Sequence, residues 1–165
     1  MLTVRPTNSV LTILWWSIYT VLGIWAQRTL PGIDFFAPGI ILSLQEEESG
    51  QRTALLGLIW ILLVEGTGSL PFGYGLAWYG LLIAFYFMGR WLFEARSFLF
   101  MGLIGIGLGL LHPALVYGLS SLVNLQVNLK PIFIQGAMQA VAFPLIWTIA
   151  DYFYPKRLRQ DVKPL

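Results

Sequence analysis

Two side chains have the chemistry to act inside this chain, Glu65 and His112. Glu65 closes the apolar run Ile61-Leu-Leu-Val-Glu65, just before the turn residues Gly66-Thr-Gly-Ser-Leu-Pro-Phe-Gly73. A charge near the centre of a membrane helix costs at least about 2.5 kcal/mol, and less towards its end. His112 is the sole histidine and precedes Pro113, whose missing amide frees the carbonyl of Gly109 one turn earlier. Counted from the expected starts of their helices at Thr53 and Phe98, the two side chains lie about 18 and 21 Å deep. They are expected at one level, as a buried polar cluster that fixes helix register or answers a partner. The competing reading has Glu65 capping its turn or reaching the interface while His112 satisfies Gly109 or another backbone group. Proton transport needs a relay, and no other ionisable group is expected deep in a span.

Other chemistry is thin. The chain has no cysteine, which removes disulfides, thiolate nucleophiles and Cys-ligated metals, and one histidine does not make a multi-His site. No Gly-x-Ser-x-Gly setting or facing aspartate pair occurs, so neither catalysis nor a cofactor is expected. Asp34, ahead of Phe35-Phe36, reads as a helix N-cap. Asp151 and the tail Lys156-Arg-Leu-Arg159 read as an interface edge and a topology anchor, with anionic lipid as the tail's second use.

The elements that would hold these groups are membrane helices. Of 165 residues 57% are hydrophobic and 11% charged, with a mean hydropathy of +0.72, whereas soluble domains carry roughly 25% charged residues. A net charge of +2 without a basic, aromatic-laced patch excludes a nucleic-acid binder. Six hydrophobic segments are expected, over 9–27, 34–46, 53–68, 72–89, 98–123 and 131–153, packed as an all-α six-helix transmembrane bundle in a single domain. The second and third fall short of the roughly 20 residues a span needs. The first lacks a cleavage site after it and is expected to be retained. With the N-terminus inside, Arg5, Arg52, Arg90, Arg96, Lys156, Arg157, Arg159 and Lys163 are cytoplasmic, and only Arg28 and Lys130 lie outside. That asymmetry predicts both termini in the cytoplasm. Trp15, Trp16, Trp91 and Tyr152–Tyr154 are expected to anchor the inner face, and Trp25, Phe72 and Tyr74 the outer one.

Small residues mark close helix packing. Gly73, Ala77, Gly80 and Ala84 draw one stripe down the fourth helix, and Gly105 and Gly109 a second in the fifth. Each stripe is read as packing within the bundle or as a dock for another protein's helix.

Four stretches carry a resemblance: Phe36-Ala-Pro38-Gly, the run Gly57–Gly73, Leu110-Leu-His112, and Phe143-Pro-Leu-Ile-Trp147 with its short basic tail. Over about residues 30–160 the chain resembles the bacterial rod-shape-determining MreD family. Glu65 stands where that family more often has Asp, and His112 where it often has a second acid. The resemblance implies a non-enzymatic scaffold of cell elongation in the bacterial inner membrane. Its implied partners are an MreC-like membrane protein and, through it, MreB and the glycosyltransferase/transpeptidase pair of peptidoglycan synthesis. The family's fold is also similar to the substrate-binding subunits of energy-coupling-factor vitamin transporters, which implies the alternative of a small-molecule-binding subunit with an ATPase partner. Against that alternative stand the short loops and the few hydrogen-bonding side chains expected besides Glu65 and His112.

Overall fold

A computed structural model describes residues 9–46, 50–66, 73–122 and 124–155, and all regular structure among them is helical. Six helices follow in order: α1 Ser9–Thr29, α2 Ala37–Gln45, α3 Gly50–Gly66, α4 Tyr74–Gly89, α5 Phe98–Leu122 and α6 Leu129–Phe153. Three of them, α1, α5 and α6, are long and apolar enough to cross a membrane, with α4 a shorter apolar helix. Their outward faces suit lipid: Val21, Leu22, Leu99, Leu110, Val141 and Ile149 are all exposed. The chain is accordingly a membrane protein. Several expected features lie outside the described residues: Arg5, Glu47, Glu48, the turn from Thr67 to Phe72, Val123 and the tail with Lys156, Arg157, Arg159 and Lys163.

The second helix is short, as its segment in the sequence is. At nine residues α2 is about 13.5 Å long, under half the roughly 30 Å of a hydrocarbon core. Every residue from Ala37 to Ser43 is buried, as befits a helix apolar on all sides. One end is tied down beside the α4–α5 connection. There Arg96 Nη2 donates to Glu46 Oε1 at 2.8 Å and to the Gln45 carbonyl at 3.0 Å, and Nη1 reaches Asp151 Oδ1 at 3.5 Å. Trp147 Nε1 donates to Gln45 Oε1 at 2.8 Å, and Gln45 Nε2 donates to the Ala95 carbonyl. This is the Arg96 end of the bundle; the ends of α1 and α5 and the start of α6 form the opposite, Arg28 end. Because α2 starts only about 13.5 Å from the Arg96 end, residues 30–36 must fold back from the Arg28 end into the middle of the bundle.

The largest helix–helix interface joins α5 to α6, and it has a two-fold logic. In α5 the spacing is Gly105-x3-Gly109-x3-Pro113, and in α6 it is Gly136-x3-Ala140-x3-Pro144. Each proline deprives the carbonyl four residues earlier of its amide partner. Each such carbonyl faces a glycine of the other helix. A Cβ on Gly136 would lie 2.3 Å from the Gly109 oxygen, and a Cβ on Gly105 would lie 2.6 Å from the Ala140 oxygen. Only glycine admits that approach, at a distance where Cα–H···O contacts form. The Gly105/Gly109 stripe is therefore internal packing.

The α4 stripe is not. The buried face of α4 is Tyr74, Gly75, Trp78, Tyr79, Leu82 and Tyr86. Gly80 and Ala84 are exposed, Ala77 is half-buried, and a Cβ on Gly80 would meet nothing within 4 Å. Gly73 has another task, opening α4 at φ +84°, a backbone conformation that favours glycine. Trp16 also departs from its expected interfacial place: it is buried in an aromatic cluster with Tyr19, Trp60 and Tyr154, whereas Trp25 and Trp91 are exposed.

Candidate functional site

Asp34 organises the centre of the bundle. Its Oδ1 accepts from Phe36 N at 2.8 Å, Ala37 N at 3.3 Å, Gln27 Nε2 at 3.1 Å and Tyr79 OH at 3.2 Å. Its Oδ2 accepts from Trp78 Nε1 at 2.7 Å. The bonds to Phe36 and Ala37 cover amides at the start of α2, but the N-cap of that helix is Phe36, so Asp34 stands two residues before the position read for it from the sequence. The other three donors come from α1 and α4. The backbone of Asp34 is held as well: its N–H donates to Gln139 Oε1 at 2.7 Å, and Gln139 Nε2 donates to its carbonyl at 3.3 Å. Gln139 thus pairs with an irregular backbone segment as a neighbouring strand would. It satisfies groups that the interior of a membrane protein cannot leave bare.

His112 lies at the same level. It is ten residues from the end of α5 at Leu122, and Gln139 is ten residues from the start of α6 at Leu129, so both are about 15 Å along the axis from the Arg28 end. The imidazole is buried. Its Nδ1 shares a 2.7 Å hydrogen bond with Tyr74 OH, and its Nε2 lies 3.3 Å from Gln135 Oε1. The amide oxygen can only accept, so Nε2 donates to it, while the Tyr74 hydroxyl is able to donate to Nδ1 or to accept from it. Tyr74 and Trp78 stand edge-on to the ring at 5.8 and 6.0 Å.

The expected Glu65–His112 cluster is not formed. Glu65 is the penultimate residue of α3, and its Oε1 accepts from Gly75 N at 3.2 Å in the first turn of α4. A carboxylate there satisfies one of the amides that a helix start leaves open and faces the positive end of its dipole. Matching depth does not bring two residues together when their helices turn them toward different neighbours. The carbonyl of Gly109 is likewise spent on Gly136 and not on His112. The ionisable group that does share the level of His112 is Asp34.

Above this layer a pocket of about 640 Å³ runs toward the Arg28 end. Asp34, Tyr74, Trp78, His112, Gln135 and Gln139 line its depth; Val64, Val116, Ile132 and Pro131 its walls; and the exposed Arg28 and Asn128 its mouth. The cleft is lined mostly by apolar groups, with a few polar groups converging at its depth. Among the described residues no group of three His, Cys, Asp or Glu side chains is placed to hold a metal.

Sequence reasoning missed Gln27, Gln135 and Gln139. A signal was present in the spacing of Gln135 and Gln139, one helical turn apart in an otherwise apolar segment, which puts two amides on one inward face. No family model, curated protein or solved structure matches this chain.

Proposed function

We propose that this protein is an MreD-like, non-catalytic scaffold of the bacterial cell-elongation machinery. It sits in the inner membrane with six crossings and both termini in the cytoplasm. The observation that carries the reading is the outward face of α4. Gly80 and Ala84 keep a track of small residues free on the surface, while the corresponding track of α5 is consumed by α6. A track of that kind accepts a partner's membrane helix at close range. The partner it fits is the single transmembrane helix of an MreC-like protein, through which MreB and the glycosyltransferase/transpeptidase pair would be reached. The short α2 is compatible with six crossings when residues 30–45 act as one span, an irregular upper half shielded by protein and a helical lower half. Depletion tests the function. Cells should round up and their wall-synthesis machinery should disperse; normal rods after clean depletion would refute it.

The pocket favours a second reading, a small-molecule-binding membrane subunit similar to those of energy-coupling-factor transporters. Polar side chains are not scarce at the centre of the bundle, as the sequence had implied, since Asp34, Gln135, Gln139, Tyr74 and His112 converge there. Impaired vitamin uptake with unchanged cell shape would select this reading.

A further inference from the structure

The floor of the pocket holds a carboxyl group that no cationic side chain pairs among the described residues. Four of the five donors on Asp34 are N–H groups (from Gln27, Phe36, Ala37 and Trp78) and cannot accept in return. Oδ1 takes three of them and Tyr79, so that oxygen acts wholly as an acceptor. Oδ2 takes a single donor, Trp78, and a carboxylate oxygen has room for a second. Among the described residues no Lys or Arg makes an ion pair with Asp34; the described ion pairs are those of Arg96 at the opposite end. Neutral donors reduce the cost of ionising such a group but supply no opposite charge, and buried charges are ordinarily paired. Asp34 lines the pocket together with Trp78 and Tyr74, whose rings stack on each other with centroids 5.6 Å apart.

We infer that this pocket binds an organic cation, a protonated amine or a cationic nitrogen heterocycle, with its charged nitrogen at Asp34 Oδ2 and its apolar body against Trp78 and Tyr74. Apolar aromatic surface beside a carboxyl group suits an organic cation, which gains the ion pair and buries its apolar body. A hard metal ion needs several oxygen ligands, and the lone carboxylate here does not provide them. Gln27 Oε1, for which no hydrogen bond is formed among the described residues, is a further acceptor beside Asp34 for an N–H of the ligand. Arg28 at the mouth has the opposite effect: it repels the cation in transit and would hold an anionic group if the ligand also carries one. The assignment deepens the second functional reading and does not depend on the scaffold reading.

The test uses the full-length protein in detergent and three compounds that share one ring and differ in head charge: 2-phenylethylamine, 2-phenylethanol and 3-phenylpropionate. Binding is read from tryptophan emission, which Trp78 should report, and from the thermal midpoint. The amine should bind about tenfold more tightly than the alcohol, a ratio in the range of one charge-assisted hydrogen bond, and the acid most weakly. Asp34→Asn should abolish the difference between amine and alcohol. Because Asp34 also holds residues 30–36, Arg28→Ala provides an independent variant at an exposed site. It should leave the fold unchanged and tighten the amine about twofold by removing like charge from the mouth. A preference for the acid, or equal binding of all three, would overturn the cation assignment while leaving a small-molecule pocket. No binding of any compound by folded protein would overturn the assignment and the second reading together.

Discussion

Replacing Gly136 by alanine is the most demanding perturbation of this fold. The new methyl would stand 2.3 Å from the carbonyl oxygen of Gly109 and 3.2 Å from Cδ of Pro113. Carbon and its neighbours settle at about 3.5–4.0 Å, so the α5 and α6 backbones would have to part locally by about 1 Å. Neither neighbour can yield cheaply, since one is backbone and the other is a ring in the middle of a helix. Overpacking of this kind costs about 1–3 kcal/mol, and loss of the paired contact between Gly105 and Ala140 places Gly136→Ala at the upper end. Gly80→Ala is the matched control, because its methyl meets nothing within 4 Å. Alanine's better helix propensity makes that change neutral or stabilising by up to about 1 kcal/mol. Reversible unfolding in mixed detergent–SDS micelles, followed by tryptophan emission, measures both. Equal stability of Gly136→Ala and the parent protein, or equal losses for the two alanines, would refute the two-fold packing account.

Three other outcomes follow from the polar layer and the two ends. Glu65→Gln and His112→Ala should lower stability additively to within about 0.5 kcal/mol, since the two side chains share no partner; a coupling above about 1 kcal/mol in a double-mutant cycle would restore the direct cluster. Gln139→Leu removes the pairing of the Asp34 backbone and should cost about 1–3 kcal/mol in the same assay, with faster amide hydrogen exchange at residues 30–36. Reporter fusions should place the α4–α5 connection, residues 90–97, on the same face as the C-terminus and the α5–α6 connection on the other, and any other distribution would contradict the proposed six crossings.

The sequence marks the helices well because the apolar runs end at unambiguous breaks. Arg28 to Gly32, Glu46 to Glu48 and Arg90 to Ser97 each interrupt an otherwise lipid-compatible stretch, and all six helices fall within a few residues of expectation. The site was harder to read. Helical rise gives the depth of Glu65 and of His112 but not the direction each faces, and their partners turn out to be Gly75 on one side and Tyr74 with Gln135 on the other. Asp34 was misplaced for a different reason. A charged residue after Arg28 and before an apolar helix reads as the membrane edge, and only the nine-residue length of α2, anchored at Arg96, shows that it begins at mid-depth. The use of the two glycine stripes depended on their neighbours. Gly105 and Gly109 meet Gly136 and Ala140 because both helices repeat the same small-residue and proline spacing, whereas no such repeat accompanies Gly80 and Ala84.

The scaffold reading is tested most directly by asking what lies against α4 in living cells. The chain has no cysteine, so Gly80→Cys and Ala84→Cys each introduce a single thiol on the exposed track, and Gly109→Cys provides a buried comparison. Thiol cross-linking in membranes of growing rods should join positions 80 and 84, but not 109, to cysteines placed in the transmembrane helix of the MreC-like protein. Adducts with that helix absent at 80 and 84, in cells whose shape still depends on the protein, would contradict the assignment of this face to the partner.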